Sequence, residues 1–102
     1  MTMDMRFLMQ QAQKIQKDIT KAQQMLAQKE YEATAGGGAM KIKATGNMRL
    51  TEVTIDPELA NEVEDLQAML VICVNSLMEA IEKDKEAIMK PITGGAKVPG
   101  AF

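Results

Sequence analysis

Arg6, Lys14, Lys17 and Lys21 fall on one side of the first helical segment, interleaved with Gln10, Gln13 and Gln24. No acid shares that face. Cations repeated along one helix face can hold a polyanion through its phosphates. They equally fit a solvated helix surface, since the stripe is sparse and carries no interleaved aromatic apart from Phe7. Little else in the chain could do chemistry. It has no histidine, the commonest general base and metal ligand. Its one thiol, Cys73, lies inside an apolar run and reads as a small buried hydrophobe, with nothing near it in sequence to stabilise a thiolate. The carboxylates of the second helical segment read as a solvated acidic face. Gly36-Gly37-Gly38 and Gly94-Gly95-Ala96-Lys97 lack the Lys-Ser/Thr and the helix start of a phosphate loop, and read as turns. The expectation is a protein that is not an enzyme, with no catalytic residues, no metal, no cofactor and no small-molecule substrate.

The charge is unevenly spread. The net charge is only −2 and the isoelectric point about 5.1, which argues weakly against nucleic acid. Residues 1–29, however, carry five bases (Arg6, Lys14, Lys17, Lys21, Lys29) against two acids (Asp4, Asp18), a net of +3. Residues 56–90 carry nine acids against three bases, a net of −6. Such segregation creates local fields that the total conceals. One cysteine excludes an intrachain disulfide and fits a reducing compartment. No apolar run reaches membrane-spanning length and no signal peptide is evident, so the expected location is cytoplasmic, with no membrane partner.

The elements that would position the cations follow from periodicity. Met5, Leu8, Ala12, Ile15, Ile19, Ala22 and Leu26 recur at alternating spacings of three and four, a heptad seam opposite the cationic stripe. A long helix is expected from about Asp4, its N-cap, to Lys29. Tyr31 to Ala35, Ala39 to Thr45 and Met48 to Ile55 alternate as strands of an antiparallel meander with one apolar face. Asp56-Pro57-Glu58 is a helix-start signal. A short turn over Pro57 to Ala60 should lead into a helix from about Glu62 to Lys90, ended by Pro91. Its first half is apolar nearly all round, so more than one surface must cover it. A second protomer is the economical cover, with Leu66, Leu70, Val74 and Leu77 the candidate dimer-core residues. Asn75 and Ser76 read as a polar pair at the core edge or near the dimer axis, where a buried Asn can fix register. The 102 residues form one domain, 1–90, followed by a flexible Gly/Pro-containing tail, 91–102.

Several segments together resemble the YbaB/EbfC family of bacterial nucleoid-associated proteins. They are Leu8-Met9-Gln10-Gln11-Ala12-Gln13-Lys14, Val53-Thr54-Ile55-Asp56-Pro57, the apolar stretch Leu70 to Leu77, and a Pro/Gly tail ending in Phe102. The resemblance covers essentially the whole chain. It implies an α+β fold of α-β-β-β-α order, built as an intertwined homodimer whose long helices protrude like the arms of tweezers. It implies binding of double-stranded DNA with limited sequence preference, in the nucleoid, contributing to nucleoid organisation and gene regulation. Two departures stand out. Helix one has Gln at several outward positions, and Glu79, Glu82, Asp84 and Glu86 make the end of helix two acidic.

The combined reading is a homodimer whose Arg6, Lys14, Lys17 and Lys21 lie on phosphates. In it, Met5, Leu8 and Ile15 meet Ile81, Ile88 and Met89 in an antiparallel arm. The alternative is an adaptor dimer whose protruding helices grip a protein partner, since Gln- and Met-rich faces suit adaptable contact.

Overall fold

The structure is a computed structural model and describes residues 4–93. The elements run α1 (Met5–Gln28), β1 (Glu30–Ala35), β2 (Met40–Thr45), β3 (Leu50–Ile55) and α2 (Val63–Thr93), with short 3-10 turns at Gly36–Gly38 and Pro57–Asn61. This is the expected α-β-β-β-α order of an α+β fold. Asp4 caps α1, its side chain accepting from the Arg6 amide at 3.0 Å. Asp56 does the same for Glu58 at 3.1 Å, but it caps the 3-10 turn, and α2 itself begins only at Val63. No helix among the described residues is long and apolar enough to cross a membrane.

The sheet is antiparallel in the order β1-β2-β3. β1 and β2 are joined through Gly36, Gly37 and Gly38, all at positive φ, a region that glycine enters without steric cost. A side chain on Gly36 would also strike Met69 at 2.6 Å. The second turn passes directly beneath the end of α1. The Gly46 amide donates to the Lys29 carbonyl at 3.0 Å, and a Cβ there would lie 1.8 Å from the Leu26 carbonyl oxygen. Only glycine fits that approach. β3 starts two residues later than expected because Met48 takes a left-handed conformation (φ 64°) and cannot continue the strand backwards.

Two clusters hold the chain together. Met40, Ile42 and Ala44 on the inner face of β2 are fully buried against Cys73, Leu77 and Ile81 of α2, with Leu59 closing one end. The Cys73 thiol lies 3.4 Å from the Ala33 carbonyl, to which it donates. The smaller cluster joins the helices: Ile19 and Ala22 of α1 against Met89 of α2, with Ile88 and Ile92 beside them. The contact is antiparallel, as expected, but lies nearer the root of α1. Met5, Leu8 and Ile15 are exposed and do not form the cluster. The cause is axial reach, because Met89 and Ile92 near the end of α2 meet α1 at Ile19 and Ala22. Pro91 does not end the helix at Lys90; α2 continues to Thr93. Proline at that point removes one amide donor from the last turn while its fixed φ remains helical. Residues 94–102, which include most of the expected tail, lie outside the described residues.

The molecule is long rather than round, with principal extents of 71 × 19 × 19 Å and a radius of gyration of 19.3 Å. A compact domain of this length would have a radius near 13 Å. The 24 residues of α1 alone span about 36 Å at 1.5 Å per residue.

Candidate nucleic-acid interface

The heptad seam fixes which way the cations point. Ile19, Ala22 and Leu26 are turned inward and buried, so the stripe on the opposite face of α1 is turned away from α2. Gln10, Gln13, Lys14, Gln16, Lys17, Thr20, Lys21 and Gln24 line an open, shallow surface there. Asp18 lines it with them, so the face is not free of acid, contrary to the sequence reading. Arg6 continues the stripe toward the arm tip and is exposed. At 1.5 Å per residue, Lys14 and Lys21 are about 10 Å apart along the helix, and Arg6 and Lys21 about 22 Å. The longer span covers about six base steps at 3.4 Å per step along one strand.

Pairing separates these cations from the lysines of the sheet and of the arm's root. Lys41 lies 3.7 Å from Glu32, and Lys43 lies 3.4 Å from Glu52, both on the outer face of the sheet. Lys29 is bound to Asp84 at 2.7 Å. Among the described residues, Arg6, Lys14, Lys17 and Lys21 make no salt bridge. Glu79, Glu82 and Glu86 are exposed on α2, so an anion approaching from the α1 side avoids them.

The root of the arm is held by a cluster with no signal in the sequence. Lys29 caps the end of α1, Tyr31 is the second residue of β1, and Asp84 lies more than fifty residues away on α2. The Tyr31 hydroxyl and the Lys29 ammonium both donate to the same Asp84 carboxylate oxygen, and Lys29 sits 5.4 Å from the centre of the Tyr31 ring. The bond from Lys29, then that from Tyr31, holds the Asp84 carboxyl below its usual range. Burial first, and then the bond to Asp84, pushes the Tyr31 phenol above its usual range. Three elements therefore meet on one carboxylate where α1 leaves the body.

The four candidate dimer-core residues do not lie together on a free face. Leu77 is fully buried in the chain's own core, Leu66 and Val74 are half-buried at its edge, and Leu70 is exposed. Val71 and Ile72 beside Leu70 are also exposed. Asn75 and Ser76 are both exposed on α2. The sequence reading put β3 on the apolar face of the meander but did not single it out as uncovered. Val53 and Ile55 stand opposite Ile42 and Met40 in the ladder and so share the inner face, but α2 is set over β1 and β2 and leaves them open.

Comparison with known proteins places this arrangement. The fold is similar to the crystal structure of an uncharacterized protein from Helicobacter pylori, with a TM-score of 0.79 at 20% identity, covering 89% of this chain and 98% of that one. A nucleoid-associated protein from Ruminiclostridium cellulolyticum is 43% identical, covering 97% of this chain and 89% of its own length. One from Alkaliphilus metalliredigens is 40% identical over the same shares. One from Chloroflexus aggregans is 39% identical over 93% of this chain and 97% of its own. A family model described as the YbaB/EbfC DNA-binding family, which is not an enzyme family, matches residues 1–96. With that match and these relatives, the chain belongs to the YbaB/EbfC DNA-binding family.

Proposed function

We propose that the protein binds double-stranded DNA as a homodimer in the nucleoid, through phosphate contacts from Arg6, Lys14, Lys17 and Lys21, and so contributes to nucleoid organisation and gene regulation. The observation that carries this reading is the difference in pairing: the sheet and root lysines have acids beside them, and the arm cations have none among the described residues. Phosphate contacts hold a protein on a duplex without reading its sequence, so discrimination between sequences is small. Two protomers are favoured by the uncovered apolar side chains of Leu50, Val53 and Ile55 on β3 and of Leu70 and Val71 on α2. Those side chains in water make the lone chain costly. A dimer also doubles the cations offered to one duplex.

A salt titration on random-sequence duplex tests the reading. Each phosphate neutralised contributes roughly −0.9 to the slope of log affinity against log salt. About four contacts give a slope near −3.6. Lys14→Glu/Lys17→Glu/Lys21→Glu should abolish binding at moderate salt. Absence of duplex binding at low salt, or binding unchanged in the triple variant, would overturn it.

A further inference from the structure

The seam on α1 does not stop where α2 stops. Ile19, Ala22 and Leu26 are 6%, 6% and 1% exposed, whereas Met5, Leu8 and Ile15, on the same stripe, are 69%, 42% and 43% exposed. About three turns of heptad surface are therefore continuous with an established helix–helix interface yet have nothing on them among the described residues. We propose that this surface pairs with its own counterpart on a second dimer, α1 lying antiparallel against α1, so that arms join one dimer to another. The inference rests on the proposed dimeric, DNA-binding reading.

Three features select a second copy as the occupant. The first is self-complementarity. In an antiparallel pair, a positions face d positions; with Met5 and Ala12 at a and Leu8 and Ile15 at d, one register sets Met5 against Ile15 and Leu8 against Ala12. The two-fold axis repeats both layers, as an isologous contact requires. Leucine then faces alanine, which lets the axes approach closely. The second is charge. Arg6, Lys14, Lys17 and Lys21 all sit on the far side of each helix, so no cation is brought against another, and Gln11, Gln16 and Met9 flank the seam. Asp4 and Asp18 stand opposite each other at the two ends of this register, a like-charge contact that water screens in part and that weakens the pair. The third is size. Three turns of helix bury less than the roughly 1,200 Å² of a standard interface. The contact is therefore weak in dilute solution and forms where arms are concentrated, as they are on DNA. Joined in this way, the cationic stripes point in opposite directions, and each can hold a separate duplex.

Crosslinking of the full-length protein without DNA tests the pairing independently of DNA binding. Leu8→Cys and Ala12→Cys are made separately in a Cys73→Ala background, mixed at high concentration and oxidised. A disulfide between the two variants, in native particles of four chains or more by light scattering, is the expected result. Leu8→Cys joining mainly to itself, particles of two chains, or no disulfide overturns the proposal. The second measurement is recovery of free duplex by duplex fixed to beads. Leu8→Gln/Ile15→Gln should lose that bridging while its affinity for a single duplex stays within a factor of two of the unaltered protein. Bridging that survives these changes also overturns the pairing. Loss of single-duplex binding by the unaltered protein would instead strike the DNA reading, and would leave the crosslinking result standing.

Discussion

β2 and β3 are hydrogen-bonded neighbours of six residues each, and their inner side chains face one another across the ladder. Ile42 is nevertheless fully buried while Val53, directly opposite, is 47% exposed. The difference arises from where α2 lies, over β1 and β2, and not from either strand's pattern. Amphipathic alternation states that a face needs cover; it does not state which body supplies the cover. The same contrast recurs along α1, where one stripe is sealed at the root by α2 and open toward the tip. The sealed halves make the subunit, and the open halves are the surfaces on which the proposed contacts between copies are placed.

The comparison is most sharply tested in the sealed half. Leu77→Ala removes a fully buried side chain and should cost about 2–5 kcal/mol, as such truncations do, read as a fall in urea midpoint. Val53→Asp on the open half should instead leave helical circular dichroism in place and convert the dimer to monomer in sedimentation, because its partner surface would have to bury an unpaired charge. A Val53→Asp protein that remains fully dimeric would place the second protomer elsewhere. Leu70→Asp is expected to act in the same direction.

Charge provides the next contrast, between paired and unpaired lysines. Lys14→Gln/Lys17→Gln/Lys21→Gln, which removes three of every four arm cations, should flatten the salt slope by roughly 2.7 where the dimer holds about four phosphates in all. Lys41→Gln/Lys43→Gln, which removes two lysines already facing Glu32 and Glu52, should change the slope by less than about 1. Equal effects from both variants would mean that the arm has no special part in binding.

How much of this was legible in the sequence follows the range of the forces involved. The Asp4 cap, the two long helices, the meander and the cationic stripe are set by neighbours within a few residues, and each is present. The turn after Asp56 was also readable, since Pro57 is preset for the first helical position. A helical wheel gives the face of contact but not the axial register. Hence Met89 meets Ile19 and Ala22 rather than the residues nearer the tip. The left-handed Met48, which delays β3, carries no sequence mark, because methionine is not a residue that favours positive φ. Of the dimer candidates, Leu77 belongs to the subunit's own core, and only the packed structure distinguishes it from exposed Leu70.

The root cluster offers the smallest and most specific effect. Asp84→Asn keeps the side-chain shape and removes the charge that Lys29 and Tyr31 share. Lys29 is half exposed, so solvent limits the loss to about 1 kcal/mol or less at pH 7. The pH dependence separates charge from shape. A carboxyl whose folded pKa is depressed adds stability above its unfolded value, near 3.9, and that stability disappears as pH falls through the folded value. Tyr31 works in the opposite direction. Its raised pKa adds stability below an unfolded value near 10, and this is lost as pH rises beyond it. The cluster is thus fully formed between about pH 4 and pH 10. Urea midpoints of Asp84→Asn and the unaltered protein should differ at pH 7 and draw together as pH falls through the folded value, where both come to carry a neutral group at position 84. A difference that persists undiminished below the folded value would show that the shape of the Asp84 hydrogen bonds, and not the charge, holds α1 to the body.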